Sequence, residues 1–307
     1  MKRNYAIDLL RALMMLGIVL LHVFAQPERW AECHRIVYAL LPCVVVFTFI
    51  SGYYSIRFSW WKLVKLYGVA LYGLAVVGLM LDVPVSDLIC AFKAYWFLHA
   101  YAILVCFAPL INMGFDRISG GGVIYLPILA IVFGWGLLAN MAFTNHFVPF
   151  APELTAKSGV TLMGVYIAAR FYRKHEERID RLPILWFVVL LPVLVAICTI
   201  GLGWFGNYNS PIALAIAMCV FHLVKKIRLP QAVGRLAVIM APSVFCVYIL
   251  HANEATYAVL DRGVNMLAQS IGSVMLACIL ISILAFGACL LLDVPRRIGR
   301  RLSTFKF

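Results

Sequence analysis

Arg11 and His22 stand eleven residues apart in the apolar run from Ile7 to Phe24. Three α-helical turns take about 10.8 residues, so the two side chains share one helix face, about 16 Å apart along the axis. That is about half of a hydrocarbon core of about 30 Å. A cation and an imidazole in a membrane helix are costly there and point to a functional cavity. Imidazole titrates near neutral pH and accepts a proton from a hydroxyl. A guanidinium keeps its charge and holds an anionic or carbonyl group in place. Each residue alone has an ordinary reading, since arginine snorkels and histidine joins interhelical hydrogen bonds. The shared face and depth favour the pair as a site.

Other polar residues interrupt apolar runs in the same way. The second run ends in Phe47-Thr-Phe-Ile-Ser51-Gly52-Tyr-Tyr54, where two small residues let a backbone or a ligand come close. Arg57, Lys62 and Lys65 follow, as topology signals or as ligands for the phosphates of a cofactor. A fourth run opens Tyr95-Trp96-Phe97-Leu98-His99, its aromatics suited to an interfacial belt and His99 expected at the depth of His22. A ninth carries Tyr248-Ile-Leu-His251-Ala-Asn-Glu254, with His251 and Glu254 expected on one helix face at i and i+3. There a carboxylate would orient the imidazole, or the two would form a structural polar cluster. Asn207-Tyr208-Asn209-Ser210-Pro211 suits sugar hydroxyls or a turn.

The elements that must position these residues are membrane helices. Of 307 residues 64% are hydrophobic and 13% charged, with mean hydropathy +0.96, which excludes an ordinary soluble domain. The chain reads as a single all-α domain over 1–307, a polytopic integral membrane protein. Ten apolar stretches are expected, at about 7–25, 36–56, 63–81, 95–113, 123–142, 158–173, 183–201, 209–224, 240–260 and 271–292. The first run lacks a small-residue cleavage site and reads as a retained signal anchor. With the N-terminus in the cytoplasm, 20 of the 26 lysines and arginines fall on the cytoplasmic side and five outside, Arg11 lying within the first stretch. That asymmetry places both termini in the cytoplasm and explains the net charge of +13 without nucleic acid. The nine cysteines lie mostly within apolar runs and form no CxxC pair, so neither disulfides nor a metal site are expected.

Four features in register, namely Arg11-x10-His22, the Phe47-Thr-Phe-Ile-Ser51-Gly52-Tyr end of the second run, Trp96-Phe97-Leu98 with Pro109-Leu110, and Tyr248-Ile-Leu-His251, resemble the membrane-bound acyltransferase 3 family over nearly the whole chain. The resemblance implies ten core helices in a bacterial inner membrane, acetyl-CoA as cytoplasmic donor, and transfer to a hydroxyl of a surface glycan or its lipid-linked precursor. It implies His22 as catalytic histidine, Arg11 as the essential arginine, and Ser51 and Gly52 on the donor path. Lys62 and Lys65 stand where the family commonly has arginines, and His99 where an aromatic or small residue is more usual. Trp96, His99, Tyr248, His251 and Glu254 are then acceptor contacts or support His22. A transporter or flippase using the same polar residues, and a scaffold in which they only tie helices together, are the other readings of the sequence.

Overall fold

A computed structural model describes residues 3–117, 123–136, 156–200, 205 and 207–304, the side chains of 300–304 excepted. Helices make up most of the described residues, with no strand among them. In chain order the main helices are α1 (Tyr5–Phe24), α2 (Trp30–Leu40), α3 (Pro42–Tyr54), α4 (Trp60–Leu81), α5 (Val85–Ala94), α6 (Trp96–Arg117), α7 (Gly159–Lys174), α8 (Glu176–Asp180), α9 (Ile184–Ile200), α10 (Pro211–Lys225), α11 (Gln231–Met240), α12 (Val244–His251), α13 (Glu254–Ile271), α14 (Val274–Leu292) and α15 (Val294–Thr304). Backbone hydrogen bonds closed within each helix are what a chain needs where no water is available.

Six of the described helical stretches are long and apolar enough to cross a membrane: Tyr5–Phe24, Pro27–Tyr54, Trp60–Leu81, Trp96–Arg117, Gln231–His251 and Val274–Gly299. Val123–Trp135, Ile184–Ile200 and Pro211–Lys225 are shorter apolar helices. The ninth expected stretch is displaced, running 231–251 instead of 240–260. The end of the fifth stretch (137–142), most of the expected outer loop 143–157, Lys2 and Lys306 lie outside the described residues. The apolar helices face outward with residues a soluble protein would bury: Leu79 is 87% and Leu291 72% exposed. Lipid is the solvent such faces fit.

The helices group into two compact units interleaved in sequence: 1–33, 64–95 and 229–307 form the first, 34–63 and 96–228 the second. In the first, α1 packs on α11, α12 and α14, and α13 lies along α14. Gly272, at φ 70°, ends α13 in the left-handed conformation that glycine adopts freely, and Ser273 caps α14 by accepting a bond from Leu276 N at 3.3 Å. In the second, α3 packs on α7 and α10, α6 on α7, and α9 on α10.

Candidate active site

The first unit builds the site around α1. Asn4 caps the helix, its side chain accepting from Ala6 N at 3.0 Å, and Gln26 closes the other end by donating to the His22 carbonyl at 2.9 Å. Buried Arg29 adds a bond to the Val23 carbonyl at 3.3 Å and pairs with Asp261 of α13. The last turn of α1, which carries His22, is thereby fixed from two sides.

Helix α12 brings a second histidine to the first. His22 Nδ1 lies 3.0 Å from His251 Nε2, with ring centroids 5.1 Å apart. His251 Nδ1 lies 2.6 Å from the Val247 carbonyl, which only accepts. With both rings neutral, that carbonyl sets the proton positions. His251 carries its proton on Nδ1, so its Nε2 accepts. His22 must donate from Nδ1, and its Nε2 is left with the lone pair. His251 is fully buried whereas His22 is half-buried, and Tyr257 flanks His22 at 5.6 Å between ring centroids.

The register of the two helices is regular. Gly234 lies against Tyr5, where a Cβ would stand 3.2 Å from the ring, and His251 lies against His22. Both pairs are 229 residues apart, so α1 runs side by side and parallel with α11–α12.

α12 stops at His251 because Asn253 takes over the chain. Its Nδ2 donates to the Ile249 and Leu250 carbonyls at 3.3 and 3.1 Å, while its Oδ1 caps α13 by accepting from Thr256 N at 2.9 Å. Thr256 Oγ1 and Tyr95 OH satisfy the same two carbonyls, at 2.9 Å to Leu250 and 2.7 Å to Ile249. Glu254 therefore begins a new helix and is exposed. The expected i, i+3 pairing of His251 with Glu254 on one helix is not formed; the imidazole partner of His251 is His22. Asn253 is the signal in the sequence that marks this break, since asparagine prefers helix starts. Tyr248 is buried beside Tyr95, ring centroids 5.7 Å apart.

Arg11 shares α1 with His22, but its near partner is Asp8, with Nη1 3.6 Å from Oδ1. Asp8 is 6% exposed and also takes a bond from Arg3 Nε at 2.6 Å. Hydropathy alone does not single out Asp8, although an aspartate three residues before an arginine on a helix is a recognised pairing distance. Arg11 and His22 lie about 16 Å apart along the helix, too far to act on the same atom.

The second unit holds the other expected residues. Gly52 faces α7: a Cβ there would come within 2.7 Å of the Tyr166 carbonyl oxygen and of the Ala169 side chain. Of the two openings a small residue offers, α3 uses this one for close helix packing. Ser51 Oγ lies 3.2 Å from Tyr101 OH. Trp96 stacks on buried Tyr208 at 5.2 Å, and His99 is half-buried on the same helix. Arg57 and Lys62 are exposed, Lys62 bonding the Arg57 carbonyl; Lys65, in the first unit, is exposed as well.

A charged cluster in this unit was not expected. Glu176 takes bonds from Lys225 at 2.8 Å, Tyr53 OH at 2.6 Å and Arg173 at 2.6 Å, and Asp180 pairs with Lys225 at 2.9 Å. Burial opposes ionisation of Glu176 and Asp180, but these cationic and hydroxyl partners outweigh it and hold both carboxyls below their ordinary pKa.

Neither the curated proteins nor the solved structures contain a match to this chain. The family model of an acyltransferase domain matches residues 4–294 and takes in both histidines, Arg11 and Asp8. With its apolar helices and that match over nearly its whole length, the chain belongs to the acyltransferase 3 family of membrane acyltransferases.

Proposed function

We propose that this protein is an O-acetyltransferase of a bacterial inner membrane, moving acetyl from cytoplasmic acetyl-CoA to a hydroxyl of a cell-surface glycan or its lipid-linked precursor. The observation that carries the reading is the fixed order Val247 carbonyl, His251, His22, which leaves the lone pair of His22 on Nε2. His22 Nε2 takes the proton of the acceptor hydroxyl as its oxygen attacks the acyl carbonyl, then returns it to the departing sulfur. General-base catalysis of this kind contributes about 10²–10⁴-fold. His251 touches neither reactant; it holds the ring and tautomer of His22, and is a positioning residue.

Acetyl-CoA supplies the acetyl group as a thioester. The residues present fit an extended donor: Arg11 is 31% exposed at the side chain and about 16 Å along α1 from His22, so it suits the remote end of the donor and not the oxyanion. Asp8 keeps that guanidinium in place. Lys65, in the same unit, adds exposed positive charge for donor phosphates.

The test is transfer of labelled acetyl from acetyl-CoA into glycan and lipid fractions, wild type against His22→Ala at matched protein level. Label in a glycan or glycolipid fraction with wild type alone is the expected result and identifies the acceptor class. Equal label in both removes His22 as the base. Acceptor movement across the membrane without acyl-CoA, and no label in either, replaces this reading with transport.

A further inference from the structure

The C-terminal turn of α7 forms one wall of a cavity of about 350 Å³ lined by Phe115, Asp116, Arg170, Arg173 and Lys174. Three cations face one carboxylate across it. Arg173 and Lys174 stand in the last turn, where the carbonyl end of the helix dipole favours positive charge, and Arg170, three and four residues before them, shares their face.

Arg170 is the residue whose surroundings do not account for it. Its side chain is 15% exposed, and its Nε is buried with no hydrogen-bond partner among the described residues. Asp116, the nearest carboxylate, is 3.7 Å from Nη2 and 70% exposed, too distant for a hydrogen bond and too well solvated to balance a guanidinium. Phe115 lies under the guanidinium at 5.7 Å from its ring centroid, which orients the plane without satisfying its donors. Lys174 is exposed and, among the described residues, reaches the Phe115 carbonyl at 3.4 Å. By contrast, Arg173 is engaged by Glu176 at 2.6 Å and stiffens the wall. A buried guanidinium N–H left without an acceptor is costly, and a tetrahedral anion with several acceptor oxygens matches the fork that Arg170 offers.

We propose that this cavity binds a phosphate ester, with Arg170 as the forked ligand, Lys174 as the mobile second cation and Asp116 limiting how much negative charge is accepted. Two sources carry that chemistry: the phosphates of a nucleotide-bearing acyl donor, and the headgroup of an anionic phospholipid. The first source rests on the transferase reading above; the site itself rests on the cavity and on Arg170.

The experiment uses the full-length protein in nanodiscs. Equilibrium binding of adenosine 3′,5′-bisphosphate is measured in phosphatidylcholine discs, and retention of phosphatidylglycerol is measured separately, for wild type, Arg170→Gln, Arg170→Lys and Lys174→Gln. Arg170→Gln is expected to weaken binding of whichever phosphate ester is taken by roughly ten- to a hundredfold. Arg170→Lys restores charge but not the fork and recovers only part of it. Lys174→Gln, at an exposed position that leaves folding intact, weakens binding by about threefold. Loss confined to the bisphosphate assigns the site to the donor, and loss confined to phosphatidylglycerol assigns it to the lipid. Wild-type binding of both probes by both Gln variants, or no binding of either probe by wild type, overturns the proposal. Arg170-dependent binding in a protein that transfers no acetyl would leave this site standing and remove the transferase reading, whereas acetyl transfer with no effect of Arg170 would do the reverse.

Discussion

His251→Leu separates a positioning role from a catalytic one. Leucine keeps the buried site apolar and filled but cannot accept the Nδ1–H of His22, which lies 3.0 Å from its acceptor in the wild type. Removing one partner of a buried donor costs about 1–3 kcal/mol. If that cost falls on the reactive orientation of His22, the rate drops by roughly 5- to 150-fold, at about 1.4 kcal/mol per decade. Loss of His22 itself removes the whole general-base contribution of about 10²–10⁴-fold. His251→Gln offers an amide oxygen at a similar reach and should return the rate to within about threefold of wild type. The assay is single-turnover acetyl transfer at saturating acetyl-CoA, with protein level and donor KM measured in parallel; KM should not move. A wild-type rate in the Leu variant would show that the relay carries nothing. A loss as deep as that of His22→Ala, with no recovery in the Gln variant, would make His251 the proton acceptor and refute His22 as the base.

Gly52→Ala should lower the melting temperature of detergent-solubilised protein by the equivalent of about 1–3 kcal/mol, because its Cβ would stand 2.7 Å from the Tyr166 carbonyl oxygen, while activity per folded molecule stays near wild type. Asp8→Asn releases Arg11 from its carboxylate, and donor KM is expected to rise severalfold with kcat little changed; a kcat effect alone would place Arg11 at the reacting carbonyl instead. Glu176 and Asp180 are held below their ordinary values of 4.5 and 3.8, so their contribution to stability is complete above those values and is lost as pH falls through the lower folded pKa values. Thermal unfolding followed from pH 7 to pH 3 should show this acid loss, reduced in Glu176→Gln.

The sequence makes the helical membrane class and the Arg11–His22 spacing legible because hydropathy and a 3.6-residue period are local properties. His251 is legible as a polar intruder, but its partner is not. That contact joins residues 229 apart, and only the packing of α1 on α12 brings them together. The false neighbour, Glu254, followed from extending an apolar period across Asn253. An N-cap side chain with three hydrogen bonds overrode that pattern. The charged cluster around Glu176 is not legible in the sequence because its members are 53, 173, 176, 180 and 225, each unremarkable at a helix end.

The matched offset of 229 residues in Tyr5–Gly234 and His22–His251 carries a rule of parity. Two helices that cross a membrane side by side in the same direction require an odd number of crossings between them, since the chain must come back to the face it left. Among the described residues, the apolar helices between Phe24 and Gln231 number six, three long and three short. An even number delivers the chain to the wrong face. Added to those six, α7 (Gly159–Lys174) would make the count odd, and a seventh crossing there is what the parity predicts. Such a crossing would rest on burial: Thr161, Leu162, Gly164 through Ala169 and Tyr172 are all shielded, with α3 and α6 packed along it. A crossing of this kind is a strand of cable inside its sheath, paired with protein instead of lipid along most of its length.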